Sequence, residues 1–234
     1  MSRSAAVSVG NYRFRLNQII DSAPSETFPG QNEEIKQMTL SSGCDICEHV
    51  PTLIQYARNC ETVSEMGVRF GWSTRAFLFA RPKKLHSIDK YDWDSTHQSG
   101  MYREVGNSKY HKYKDLYKGV VDFTFQHGDS TKIPSIESTD LLFIDTFHHR
   151  DSLTLELEHH GNQARRFIIL HDTETFGDQG QADDSKIFFD QTTTNEIGTG
   201  LWYAIYPWLE RNKHWRVTEH YENNNGLTVL ERIG

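Results

Sequence analysis

Five short runs rich in β-branched and aromatic residues, at 62–66, 84–89, 121–126, 140–145 and 166–172, alternate with helical stretches along this chain of 234 residues. That alternation constrains the fold more than any other feature. Strands separated by helical crossovers line up in parallel, in one sheet with helices on its faces. Helices are expected over 46–60, 73–80, 150–164 and 200–212. In the last of these Leu201, Ile205, Trp208 and Leu209 recur at helical spacing, the pattern of a core-facing stripe. The chain then changes character, because 214–222 and 227–233 are β-rich runs joined only by "NNNG". Asn and Gly tolerate the positive φ of a tight hairpin, so this pair should be antiparallel. The expected architecture is α/β: seven strands, mostly parallel, flanked by helices and closed by a C-terminal antiparallel hairpin.

The length fits one domain, since single cores commonly run to about 250 residues before splitting. We place that domain at 41–234 and read 1–40 as a loosely structured arm or cap. A hydrophobic fraction of 36% supplies a real interior. No run approaches the roughly 18 apolar residues of a membrane span, and the first residues lack the apolar block of a signal peptide. The expected location is cytoplasmic, away from membranes. A net charge of −7 gives an overall field that repels phosphate backbones, which argues against a nucleic-acid partner. The locally basic stretch 102–118 reads as a solvated helix face. Cys44, Cys47 and Cys60 read as reduced thiols, because a lone C-x-x-C without a second pair is a weak redox or metal signal. Residues 173–200, polar and rich in Gly and Thr, read as a lid or binding loop.

The segment 63–78, "VSEMGVRFGWSTRAFL", ends the first strand on Glu65, turns through Gly67 and Gly71, and opens a helix with Ser73 and Thr74. Such a turn lets a ligand approach the main chain, and amides at a helix start bind polar or anionic groups. The spacing is not the G-x-G-x-x-G of dinucleotide binders. Asp89 closes the second strand, where an acid in open α/β sheets holds ribose hydroxyls, and Asp129 follows the third, where it could edge an adenine. A nucleoside is the economical ligand.

On these residues the chain resembles the class I S-adenosylmethionine-dependent methyltransferases, which have a Rossmann-like sheet. The resemblance spans roughly 42–234 and rests on Glu65, Gly67, Gly71 and Ser73 in the loop, Asp89, the "GDS" of Asp129 and Ser130, and the closing hairpin. It implies that these residues, with Asp145, bind S-adenosyl-L-methionine. More narrowly, 141–149 ("LLFIDTFHH") and 168–173 ("IILHDT") are similar to a branch of metal-dependent sugar O-methyltransferases and cephalosporin-hydroxylase-like proteins. In that branch an aspartate after the fourth strand and an acidic pair after the fifth bind magnesium, and a histidine three residues past the first aspartate can be the base. Asp145, His148 and Asp172 match these places. His171 stands where the metal-binding relatives have glutamate.

The resemblance therefore implies an O-methyltransferase acting on a small hydroxylated acceptor, a sugar or glycoside, with His148 and Asp145 catalytic. A cation site of Asp145, Asp172 and His171 would hold Mg2+ or another divalent ion. Asp145 could instead be a plain helix cap, and His171 a histidine satisfied by backbone. His149, His159 and His160 read as surface or helix residues. Two rivals remain: a non-haem iron oxygenase using His148, His171 and a carboxylate, and a module that binds the nucleoside without turnover. A homo-oligomeric state is left open.

Overall fold

The computed structural model describes residues 12–41, 43–91, 109–182 and 197–234. Its seven strands are β1 (Thr62–Met66), β2 (Lys84–Asp89), β3 (Asp122–His127), β4 (Thr139–Ile144), β5 (Ala164–His171), β6 (Trp215–Tyr221) and β7 (Leu227–Arg232). They form one sheet in the order β3-β2-β1-β4-β5-β7-β6. The first five pair in parallel, and β7 lies antiparallel between β5 and β6. Each expected strand is present, with ends moved by no more than two residues.

The helices are α1 (Tyr12–Asp21), α2 (Gln31–Thr39), α3 (Val50–Ala57), α4 (Trp72–Ala80), α5 (Lys109–Leu116), α6 (Arg150–His160) and α7 (Trp202–Arg211). Side chains alternate across a strand, so the central strands feed two cores. Val63, Leu85, Leu141, Phe143 and Ile169 meet Leu16, Ile35, Leu53 and Phe77 from α1 to α4 on one face. Leu142, Ile144, Ile168 and Leu170 meet Leu153, Leu157, Ile205 and Trp208 from α6 and α7 on the other. Every residue of β4 is buried, as expected for a central parallel strand covered on both sides.

Residues 12–39, read from sequence as part of an arm or cap, carry two helices whose Leu16, Ile19, Ile35 and Met38 belong to the first core. On α5 and the turn after it, Tyr113 and Tyr117 are buried while Lys112, Lys114 and Lys118 are exposed. That is the solvated face expected there; 102–108 lies outside the described residues. The reading of the cysteines is corrected. Cys44 and Cys47 form a disulfide, because the turn between them brings their Cα atoms to 5.4 Å, and Cys60 is free and buried. Among the described residues no helix is long and apolar enough to cross a membrane.

Asp140 ties the edge of the domain together. Its Oδ2 accepts from the Glu61 and Thr62 amides (2.8 and 3.1 Å), and Oδ1 accepts from Arg165 Nε (3.0 Å). Burial works to raise this carboxyl, but Arg165 and the two amides outweigh it and hold it below its ordinary value. The stabilisation is therefore complete above the unfolded value of about 3.9 and is lost as pH falls through the lower folded one. Asp140→Asn is expected to cost about 1 kcal/mol at pH 7 and to flatten the acid limb of stability against pH. Urea unfolding at pH 7 and pH 3 checks it: an unchanged acid limb would remove Asp140 from that role.

Candidate active site

At the parallel strands' carboxyl ends the chain leaves β1 for β2 on one side, while β4 leads to β5 on the other. Ligands of such sheets collect in the crevice between these exits. The turn after β1 has φ of +87° at Gly67, +45° at Arg69 and +71° at Gly71, left-handed values that glycine adopts at least cost. Gly67 answers a second need: a Cβ there would lie 1.8 Å from the Asp145 carbonyl oxygen. A bare α-carbon is what lets the exits of β1 and β4 touch. Gly71 starts α4 without a side-chain cap, so the first turn of that helix has no side-chain acceptor for its N–H groups and positive dipole end.

Acids brace this loop. Asp89 Oδ2 accepts from the Val68 and Arg69 amides (2.7 and 2.8 Å), and Oδ1 accepts from the Tyr91 amide (2.7 Å). Glu65 is fully buried and accepts from Ser73 Oγ (2.5 Å), Thr74 Oγ1 (2.8 Å) and Ser87 Oγ (2.5 Å). Burial pushes the Glu65 carboxyl up to about 7 against the pull of those hydroxyls. Glu65 and Ser73 thus hold the turn from beneath instead of facing the crevice. Asp129 Oδ1 accepts from Thr131 N and Oγ1 (3.1 and 2.7 Å), while its Oδ2 is buried without a hydrogen bond, 3.7 Å from Lys90 Nζ and 3.6 Å from Lys132 Nζ. Ser130 donates to the buried Glu156 (2.5 Å), which also places it behind the crevice.

Beyond β4 and β5, Asp145, His148 and Asp172 each offer one ligand atom, all within 4.8 Å of one another. His148 Nε2 lies 2.7 Å from Asp172 Oδ2 and 3.3 Å from Asp145 Oδ1. His171 Nδ1 lies 3.4 Å from Asp145 Oδ1 and 3.2 Å from Asp172 Oδ2. The side chains of Asp145 and His148 are 24% and 18% exposed, those of Asp172 and His171 4% and 1%. The first pair therefore faces the crevice and the second closes its back. Burial works to raise Asp145, but His171 and His148 outweigh it and hold the carboxyl below the usual range; the same imidazoles lower Asp172. Burial opposes charge on His148 as well, yet the two carboxylates push it up to about 9. Its ring stacks on Phe176 with centroids 4.7 Å apart. Asp172 has φ +60°, an unusual conformation for a non-glycine residue of the kind that gathers at functional sites.

No protein-family model matches the chain, and no curated protein does. Solved structures do match. An O-methyltransferase from Bacillus cereus, in complex with S-adenosylhomocysteine, aligns at a TM-score of 0.54 and 12% identity, covering 96% of this chain and 99% of that one. A methyltransferase from Podospora anserina with the same ligand gives 0.53 and 12%, covering 100% of each chain. Magnesium protoporphyrin IX methyltransferase from Synechocystis PCC 6803, also holding it, gives 0.52 and 12%, covering 93% and 99%. The fold is that of the class I methyltransferases.

Within this methyltransferase fold the sequence did not reveal several residues around the cluster. The carbonyl of Asn224, in the β6–β7 turn, lies 3.2 Å from His171 Nε2, and that of Asn223 lies 3.0 Å from His49 Nε2. His49 and His171 meet edge to face at 5.6 Å. Glu156 on α6 accepts from Thr146 (2.9 Å) as well as Ser130, joining the loops after β3 and β4. The "NNNG" was legible as a turn, but no periodicity says what its carbonyls touch. His149 and His160 are buried: His149 caps α6, its Nδ1 accepting from the Asp151 amide (3.2 Å), and His160 Nε2 lies 2.9 Å from the Ser130 carbonyl. Of the expected lid, 183–196 lies outside the described residues. Its flanks are joined, with Gln179 bridging Ile197 and the Gly198 amide donating to the Asp178 carbonyl (3.0 Å).

Proposed function

We propose that this chain is an O-methyltransferase that moves the methyl group of S-adenosylmethionine to a hydroxyl of a small acceptor, a sugar or glycoside. One observation carries the reading: a carboxylate, Asp145, and a histidine, His148, open onto the crevice directly beside the glycine turn with Asp172 behind them, in a methyltransferase fold. Gly67, Gly71 and the uncapped start of α4 fit a polar donor, and the buried Asp129 Oδ2, free of hydrogen bonds, fits the amine edge of an adenine. Asp89, although engaged with the loop, stands at the end of β2 where ribose hydroxyls would meet it. Glu65, Ser73 and Ser130 support these groups from behind.

A sulfonium methyl is already activated, so the protein must align donor and acceptor and take the acceptor's proton. As the new O–C bond forms, the S–C electron pair returns to sulfur and the hydroxyl proton passes to neutral His148, oriented by Asp145 and Asp172. Because those carboxylates raise the imidazole to about 9, this accepting form, and turnover with it, should grow as pH rises toward that value. The two carboxylates and imidazoles also fit a divalent cation, which Asp145, Asp172 and His171 would hold and which would make a coordinated hydroxyl more acidic.

A second reading has one observation in its favour: both His148 and His171 face the same carboxylates, as a two-histidine, one-carboxylate iron oxygenase requires. Calorimetric titration with S-adenosylmethionine separates the two, followed by assay of a panel of glycosides with and without chelator. Donor binding in the micromolar range and methylation of a glycoside are expected. No detectable donor binding would refute the methyltransferase reading, and tight binding without turnover on any hydroxylated acceptor would favour a non-catalytic module.

A further inference from the structure

His171 occupies the position where a carboxylate is expected from the resemblance, and its surroundings give the imidazole a defined role. Its Nε2 faces the Asn224 carbonyl at 3.2 Å. A carbonyl can only accept, so Nε2 carries a hydrogen toward Asn224 and Nδ1 is the nitrogen turned to the carboxylates, which hold a proton on it that a bound cation would displace. That nitrogen is buried, makes no hydrogen bond, and points at Asp145 Oδ1 and Asp172 Oδ2 from 3.4 and 3.2 Å. Asp172 Oδ1 is likewise buried without a hydrogen bond. Among the described residues no Lys or Arg forms an ion pair with either aspartate. Two carboxylates and Nδ1 of one imidazole therefore converge on a point that no Lys or Arg occupies among the described residues, and whose positive charge is carried only by imidazole protons that a metal ion can replace. The hydrogen bond from the far nitrogen to a backbone carbonyl is the arrangement that orients a metal-bound histidine. His49, packed edge-on at 5.6 Å and held by Asn223, fixes the ring from behind.

We infer that this centre selects a first-row transition ion such as Mn2+, Fe2+, Co2+ or Zn2+ over Mg2+, with Nδ1 of His171 as a direct ligand beside Asp145 and Asp172. The inference rests on the cation part of the proposed function and goes beyond it in naming the class of ion and the ligand that sets it. Magnesium binds oxygen donors and parts reluctantly with its waters, whereas an imidazole nitrogen favours softer divalent ions in the Irving–Williams order. Replacing a carboxylate by His171 removes one negative hard donor and adds a nitrogen, and both changes act against Mg2+. His148 stands on the crevice side of the same carboxylates, outside this ligand set.

The test uses the full chain, freed of metal, titrated with Co2+, Mn2+ and Mg2+ by calorimetry, with the visible absorption of bound Co2+ as a second readout. Co2+ is expected to bind at least about a hundredfold more tightly than Mg2+. His171→Ala should weaken Co2+ by about tenfold or more and His148→Ala should not. His171→Glu should reverse the preference toward Mg2+. On the unaltered protein, pulsed EPR of bound Mn2+ should show nitrogen coupling from an imidazole, a readout that survives any folding defect in the variants. Mg2+ binding as tightly as Co2+, or an absence of nitrogen coupling, overturns the inference while leaving a cation site in place. No divalent binding at all overturns the cation site itself, and the donor titration reports on methyl transfer separately.

Discussion

His148→Ala is expected to lower turnover by about a hundredfold or more, the usual cost of a lost general base, while affinity for S-adenosylmethionine changes little. The separation follows from the geometry. His148 touches Asp172 and Asp145 across the β4 and β5 exits, whereas the glycine turn and Asp89 brace one another without it. Asp145→Asn should be at least as damaging if a cation participates, since a neutral amide is a poorer ligand for a divalent ion. It should also release the hold on both imidazoles, because Asp145 lies within 3.3 Å of His148 and 3.4 Å of His171. Chelation divides the mechanism further: activity abolished by chelator and restored by a divalent ion supports metal-assisted activation of the hydroxyl, and indifference leaves His148 as the activating group. Full activity of both variants on the true acceptor would place the chemistry elsewhere.

Substitution in the glycine turn is expected to remove donor binding, and the two glycines should fail in different ways. At Gly71 the φ of +71° disfavours any branched side chain, a strain of about 1–3 kcal/mol. If the loop shifts to relieve it, donor affinity in Gly71→Val should fall by about 5- to 150-fold on the same conversion, with the cluster at Asp145 undisturbed. Gly67→Val is more severe, because its Cβ would meet the Asp145 carbonyl oxygen at 1.8 Å. Relief there must push the β4 exit away, so donor binding and turnover should both be lost even where acceptor and metal are saturating. Calorimetry with circular dichroism as a fold check decides this. Gly43→Ala is the control, since a Cβ at Gly43 meets nothing within 4 Å. Unchanged donor affinity in Gly71→Val would mean that the loop is not the donor site.

The candidate site was legible in the sequence only as far as single strands and their ends carry chemistry. Asp89, Asp145 and Asp172 could be placed because an acid following a β-rich run marks the edge of a sheet where ligands gather. The roles of Glu65, Ser73 and Ser130 could not, because the groups that engage them come from elsewhere. Ser87 on β2 shares Glu65 with Ser73 and Thr74 of α4, and Glu156 on α6 takes up Ser130. The disulfide likewise depends on the turn that joins Cys44 to Cys47 and not on their spacing alone.

What the sequence by itself determined is the set of strands, the hairpin and the glycine turn, since these follow from side-chain alternation and from residues that tolerate positive φ. Tertiary structure alone decided that Gly67 lets two strand exits touch, that His171 turns Nδ1 toward Asp145 and Asp172, and that Asn224, 53 residues further along the chain, sets that orientation. The physical reason is one of range. Periodicity and turn preference act between near neighbours, whereas the hydrogen bonds and ion pairs that assign a tautomer, engage a carboxylate or gather ligand atoms join groups brought together only when the sheet has formed.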